Sequence, residues 1–152
     1  MDLYEFYSGR SFDAYKELGA HVVKEISGKN RRKTVVGVDF VTYAPNAEAV
    51  SVTGEFNCWG ETQMERCYDG GFFKCFVPGA KAGQMYKYKI YQRDGQCVDH
   101  CDPYGFGMEL RPAFASIIRD MESYSFGDGR WMKSRDERKG SPLNIYEMHL
   151  GS

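Results

Sequence analysis

Three carboxylates, Asp94, Asp99 and Asp102, lie close together in sequence, and glycoside chemistry needs two carboxyl groups facing each other across a bond. These three sit in and just after an Asp94-Gly95 turn, where Asp serves as a turn or cap residue. Taken alone, the segment does not predict an active site. The histidines His21, His100 and His149 are far apart in sequence, and none belongs to a His-Glu-x-x-His metal motif or accompanies a Gly-x-Ser-x-Gly elbow. Cys97 and Cys101 flank His100, but a zinc site would need further ligands at suitable spacing, and the paired Cys-x-x-Cys signature is missing. Gly105-Phe106-Gly107 continues into Met108, Glu109 and Leu110, which is not the spacing of a phosphate-cradling loop. No catalytic residue, metal or cofactor is expected.

Binding chemistry is better represented. In "MYKYKIY", Met85 to Tyr91, residues alternate between two faces of a strand. If Tyr86, Tyr88 and Ile90 face a core, then Met85, Lys87, Lys89 and Tyr91 stand on the opposite, wet face. Trp59 lies in "GEFNCWG", a loop after another strand pattern. A large ring beside lysines suits a sugar, whose axial hydrogens form an apolar face that stacks on Trp or Tyr while its hydroxyls accept from Lys. Two other readings use the same residues. Trp59 could cap a core while the lysines solubilise an edge strand, or the rings could stack nucleobases, as in single-strand binders.

Strands must position these groups. Val36, Val38 and Phe40, then Val50 and Val52, then Phe73, Cys75 and Val77, then Tyr86, Tyr88 and Ile90 each alternate with neighbours on a second face, which predicts four half-buried strands. Turn signals separate them at Ala44-Pro45-Asn46, Asp69-Gly70-Gly71, Pro78-Gly79 and Asp94-Gly95, the last a strong hairpin signal. Edge strands near residues 22–26 and 115–118 bring the count to six or seven, as in a β-sandwich. A partly open five-stranded barrel is the alternative. Ahead of the strands, Asp2 with Glu5 forms a capping-box arrangement, Phe12, Tyr15 and Leu18 share a helical face, and Gly19 is a plausible helix stop. A basic turn at residues 29–33 reads as a solvated hairpin tip or, less simply, a phosphate contact.

Composition bounds the partners. The chain of 152 residues has 20 Lys and Arg against 21 Asp and Glu, and this balance argues against a dedicated nucleic-acid or anionic-membrane binder. At 15% the aromatic content is rich, and its 11 Tyr favour surfaces with one wet side. No run is long and apolar enough to span a bilayer, and the N-terminus lacks a secretory pattern. Five cysteines without framework spacing suit reduced thiols, and a cytoplasmic location is expected. After Ile118 the pattern fades, residues 127–142, "GDGRWMKSRDERKGSP", have linker composition, and then "LNIYEMHL" has strand composition without a pairing partner.

The stretches "YKELGAH" (Tyr15 to His21), "FVTYAPNAEAVSVTGEFNCW" (Phe40 to Trp59), "FFKCFVPGAKAGQMYKYKI" (Phe72 to Ile90), "CDPYGFGMELRPAFAS" (Cys101 to Ser116) and "PLNIYEMHLGS" (Pro142 to Ser152) strongly resemble the N-terminal region of the 1,4-α-glucan (glycogen) branching enzymes of the α-amylase superfamily. The resemblance implies an all-β fold: an immunoglobulin-like, glycogen-binding β-sandwich over residues 20–126, after a helical segment at 1–19. A linker at 127–141 and the start of an absent (β/α)₈ barrel at 142–152 complete the implied organisation. It implies α-1,4-glucan and the missing barrel as partners, with no nucleic acid and no membrane. It places the nucleophile, the acid/base and the transition-state carboxylate on barrel strands absent from this sequence. A free-standing glycogen-binding scaffold module is the alternative. Related modules bind through a Trp in an "FNxW" loop, a Lys in the "YKYK" strand and a second Trp after the next Asp-Gly turn. The first two correspond to Trp59 and Lys89, while the third falls on Cys97. That departure implies weak binding, or a site shifted toward Lys87 or Tyr91. Asp102, Tyr104 and Arg111 are read as structural.

Overall fold

A computed structural model describes residues 1–27, 33–122, 124–140, 142 and 144–151. The chain divides into two units, Met1–Met121 and Glu122–Ser152. Among the described residues the first unit holds nine strands: β1 (Gly19–Ser27), β2 (Lys33–Tyr43), β3 (Ala47–Gly54), β4 (Thr62–Gln63), β5 (Glu65–Cys67), β6 (Phe72–Pro78), β7 (Met85–Gln92), β8 (Cys97–His100) and β9 (Ser116–Ile117). They form two sheets in which every pairing is antiparallel, one ordered β1-β2-β6-β5 and one ordered β4-β3-β7-β8, with β9 also paired to β7. The basic turn at 29–33 lies, apart from the backbone of Lys33, outside the described residues.

The two sheets pack face to face through the alternating positions. Val38 and Phe40 from β2, Phe73 and Val77 from β6, Val50 and Val52 from β3, and Tyr86 and Tyr88 from β7 form one buried cluster. Phe40 meets Tyr86 edge-on across the interior at 5.0 Å between ring centroids. This is the all-β sandwich, with the two inner faces interdigitating. Register fixes which side chains look outward, because directly paired residues share a face: Thr53 pairs with Lys87, Ser51 with Lys89, Lys89 with Asp99, and Tyr91 with Cys97.

The N-terminal segment is less helical than its pattern predicts. Asp2 does cap a helix, α1 (Leu3–Tyr7), accepting from the Glu5 amide at 3.1 Å. Beyond it only a short 3₁₀ turn forms, at Ala14–Lys16, and Gly19 opens β1 instead of ending a helix. Its φ of +109° and the 2.8 Å that would separate a Cβ from the Tyr104 carbonyl oxygen explain why glycine stands there. Helix α1 lies against one end of the outer face of the four-stranded sheet, at Tyr43 and Phe72. Phe6 and Tyr43 stack on Phe72 at 5.3 and 4.8 Å, which buries Phe72 completely on the side away from the core.

In the second unit, the stretch read as linker contains a short helix, α2 (Gly129–Ser134), followed by a 3₁₀ turn at Asp136–Arg138. Residues 144–149, with strand composition, form neither strand nor helix. A strand needs a neighbour for its backbone hydrogen bonds. Among the described residues no helix is long and apolar enough to cross a membrane.

Candidate functional site

Trp59 is presented by a strained turn. Gly60 N donates to the Asn57 carbonyl at 2.9 Å, and between them Cys58 and Trp59 both have positive φ, 54° and 61°. This is a type I′ arrangement made without glycine at either central position, where a non-glycine residue costs roughly 1–3 kcal/mol of backbone strain. The cost is met locally. The Asn57 amide accepts from Gly54 N at 2.9 Å and donates to the Val52 carbonyl and the Thr62 hydroxyl at 3.2 and 3.1 Å, while Trp59 N donates to the Gly54 carbonyl at 2.8 Å. Gly54 admits no side chain, since a Cβ would lie 2.5 Å from the Met85 carbonyl oxygen. The loop is thereby stapled to β3 and to β4, and it holds a Trp59 ring that is 45% exposed.

Beside that ring runs the outer face of β7. Lys87 Nζ lies 6.0 Å from the Trp59 ring centroid and 3.8 Å from that of Phe114. One residue pair further on, Lys89 Nζ meets Glu61 Oε1 at 3.0 Å, and the Tyr91 hydroxyl donates to the other carboxylate oxygen of Glu61. The four residues singled out from sequence, Trp59, Lys87, Lys89 and Tyr91, therefore share one face of one sheet. Donation from Tyr91, then from Lys89, holds the Glu61 carboxyl below its ordinary value. The same carboxylate raises Lys89 and pushes Tyr91 up to about 12, so at neutral pH Lys89 is cationic and the Tyr91 phenol keeps its proton. A solvent-exposed ion pair of this kind adds little to stability, so its consequence is positional: it fixes an ammonium and a phenol on the face that carries the aromatic plate.

Glu61 and Phe114 were not singled out from sequence. Glu61 could be found only from the loop path that returns it over β7. Phe114 comes from the irregular segment before β9, and no periodicity points it toward Trp59. Cys97 is exposed and sits directly across the ladder from Tyr91, so a ring there would have extended the face on the β8 side.

Other candidates disperse. Asp94 caps its own turn by accepting from Gln96 N at 3.0 Å. Asp102 is buried among the strands, where one carboxylate oxygen accepts from the Tyr86 and Tyr88 hydroxyls at 2.6 and 3.1 Å and the other from Tyr104 N at 2.8 Å. Burial outweighs these donors and moves the Asp102 carboxyl upward. The site is a structural strut, closed to solvent. Among the described residues no three His, Cys, Asp or Glu side chains converge as metal ligands, and all five cysteines are unpaired.

Residues 17–105, from the end of the N-terminal turn through β8, match carbohydrate-binding module 48, the isoamylase N-terminal domain. The chain belongs to this carbohydrate-binding module 48 family. Relatives of this module-48 chain extend the likeness beyond the module. It is 39% identical over 155 aligned residues to a 1,4-alpha-glucan branching enzyme GlgB of Prochlorococcus marinus, covering 100% of this chain and 20% of that protein. It is 40% identical to a 1,4-alpha-glucan branching enzyme GlgB 1 of Clostridium perfringens, covering 99% of this chain and 22% of that one. The chain thus spans about a fifth of the length of the curated relatives it matches. Ligand-free PulA from Klebsiella pneumoniae shares the fold, with a TM-score of 0.53 at 17% identity over 70% of this chain and 10% of that one.

Proposed function

We propose that this chain is the glucan-binding N-terminal portion of a 1,4-α-glucan branching enzyme, and that Trp59, Lys87, Lys89 and Tyr91 hold an α-1,4-glucan on the outer face of β7. The observation that carries this reading is the strained turn at Asn57–Gly60, which holds the exposed Trp59 ring beside Lys87 while Glu61 fixes Lys89 and Tyr91 on the same face. Backbone strain held by a dedicated side-chain staple is a mark of function. A sugar's apolar face lies on the indole, the ammonium groups donate to its hydroxyls, and the phenol oxygen, whose one proton goes to Glu61, accepts from them.

In the whole enzyme the reaction is cleavage of an α-1,4-glucan and re-attachment of the cut segment through an α-1,6 bond, with two carboxyl groups acting by the retaining scheme. Those groups belong to the catalytic barrel. This chain tethers the glucan and positions it. The likeness to branching enzymes runs through residues 106–152, past the module itself, which supports this reading over a free-standing scaffold module. Exposed Ile145, Tyr146, Met148 and Leu150 give the second unit apolar surface suited to packing on a barrel.

Titration with maltoheptaose, followed by Trp fluorescence and calorimetry, tests the assignment. Binding is expected to be saturable, and Trp59→Ala is expected to weaken it roughly 5- to 150-fold, the equivalent of about 1–3 kcal/mol of ring stacking, with the melting temperature nearly unchanged. A sharp fall in melting temperature would make Trp59 a core residue instead. Saturable oligonucleotide binding with no glucan response would overturn the reading.

A further inference from the structure

The expected second ring beyond the Asp94-Gly95 turn is replaced by Cys97, yet the face does not lack a second ring. Phe114 is 43% exposed and comes from the segment leading into β9, whereas Trp59 comes from the loop after β3, each strand pairing with β7, and the same ammonium reaches both rings, at 3.8 and 6.0 Å. Their centroids are therefore no more than about 10 Å apart, close enough for one short oligosaccharide to touch both.

Three further observations make the Phe114 flank a place where a chain could lie. It borders an open hollow of about 710 Å³ lined by Met108, Glu109, Arg111, Pro112, Ala113 and Phe114. Its walls mix apolar surface with hydrogen-bonding groups, as a sugar requires. The segment is anchored at its base: Glu109 accepts from Ala115 N at 2.8 Å, Glu109 N donates to the Ala115 carbonyl at 3.0 Å, and β9 pairs with β7 at Met85 and Tyr86. Phe114 thus sits on a tied loop directly beside the β7 face.

We propose that Phe114 is a second stacking platform for α-glucan, so that the bound chain crosses β7 from Trp59 over Lys87 toward the 108–114 loop instead of toward Cys97 and β8. The platform lies outside residues 17–105, the stretch shared with the family, and serves as a residue that sets chain-length preference. Lys87 is the hinge between the rings. Its contact with Phe114 is an exposed cation–π contact, weaker than ring-on-sugar stacking, and its flexible stem lets the ammonium swing from the ring to a sugar hydroxyl as the glucan arrives. The proposal rests on the glucan-binding reading of the β7 face.

Calorimetric titration of the full 152-residue chain with maltose and with maltoheptaose, on wild type, Phe114→Ala, Phe114→Tyr, Trp59→Ala and Cys97→Ala, tests it. Phe114→Ala is expected to weaken maltoheptaose about fivefold or more while leaving maltose, too short to lie on both rings, within about twofold, so that the advantage of the longer chain shrinks. Phe114→Tyr is expected to restore it, and Cys97→Ala to change neither ligand. If Trp59→Ala weakens both ligands while Phe114→Ala binds maltoheptaose as wild type does, the second platform is wrong and the glucan-binding reading stands. Equal weakening of both ligands by Phe114→Ala, or no rescue by Tyr, also overturns it, because a loop displaced as a whole would behave that way. No response of the wild type to either glucan removes both readings together.

Discussion

Glu61 illustrates how one side chain sets the character of the proposed site. It accepts from Lys89 and Tyr91 at once, so both donors are held before any ligand arrives. Freezing a long side chain on binding costs roughly 0.5–1.5 kcal/mol, and pre-ordering avoids part of that cost. Glu61→Gln is therefore expected to weaken maltoheptaose by up to about tenfold with little change in melting temperature, read by calorimetry. The pH dependence has a definite sign. A carboxyl held below its ordinary 4.5 contributes fully above that value and loses its contribution as pH falls through the depressed one, so this clamp stays closed at neutral pH and opens only in acid. Asp102 behaves oppositely. Burial raises its carboxyl above 3.8, so its contribution to stability is greatest in acid and declines as pH rises from there through the elevated value. Asp102→Asn is expected to abolish that decline, visible as a flatter pH profile of the urea midpoint. Asp102→Ala leaves two buried tyrosine hydroxyls without an acceptor, at about 1–3 kcal/mol each.

Among the elements, the loop from β3 to β4 is the one built for presentation. Its strained pair, Cys58 and Trp59, is held by three hydrogen bonds of the Asn57 side chain. Asn57→Ala is expected to lower stability by about 1–3 kcal/mol and to weaken maltoheptaose binding too, because the turn then relaxes out of the left-handed region. Parallel urea melts and titrations check this. If stability falls and affinity does not, the turn is not what orients the indole. Helix α1 has a different task. By laying Phe6 and Tyr7 over Tyr43 and Phe72 it closes one end of the outer face of the other sheet.

Across the whole molecule, every residue proposed to touch glucan belongs to the unit Met1–Met121. A chain ending at Met121 is expected to melt cooperatively and to bind maltoheptaose within about twofold of the 152-residue chain. Calorimetry reads both, and Trp59 alone then reports by fluorescence, since Trp131 is removed. A non-cooperative melt would show that the second unit completes the fold of the first. The second unit, with its exposed apolar residues at 145, 146, 148 and 150, is expected to serve the barrel of the parent enzyme.

Sequence periodicity alone determined much of the sandwich. Alternation in Val38–Val41 and Met85–Tyr91 assigned the inner and outer faces of β2 and β7 correctly, because a strand buried on one side must repeat every second residue, while Val36, also read as a buried position, is 43% exposed. It also placed Lys87, Lys89 and Tyr91 together, since side-chain direction along one strand is a local property. It misread Gly19, whose role depends on the distant Tyr104 carbonyl, and it gave no account of Phe72, buried on the outer face by a helix with no sequence mark of its destination. The positive φ at Trp59, the Glu61 clamp and the approach of Phe114 to Lys87 were decided only by the tertiary structure. Each depends on where an irregular loop returns, and loop paths are set by long-range hydrogen bonds and packing that carry no period in the sequence.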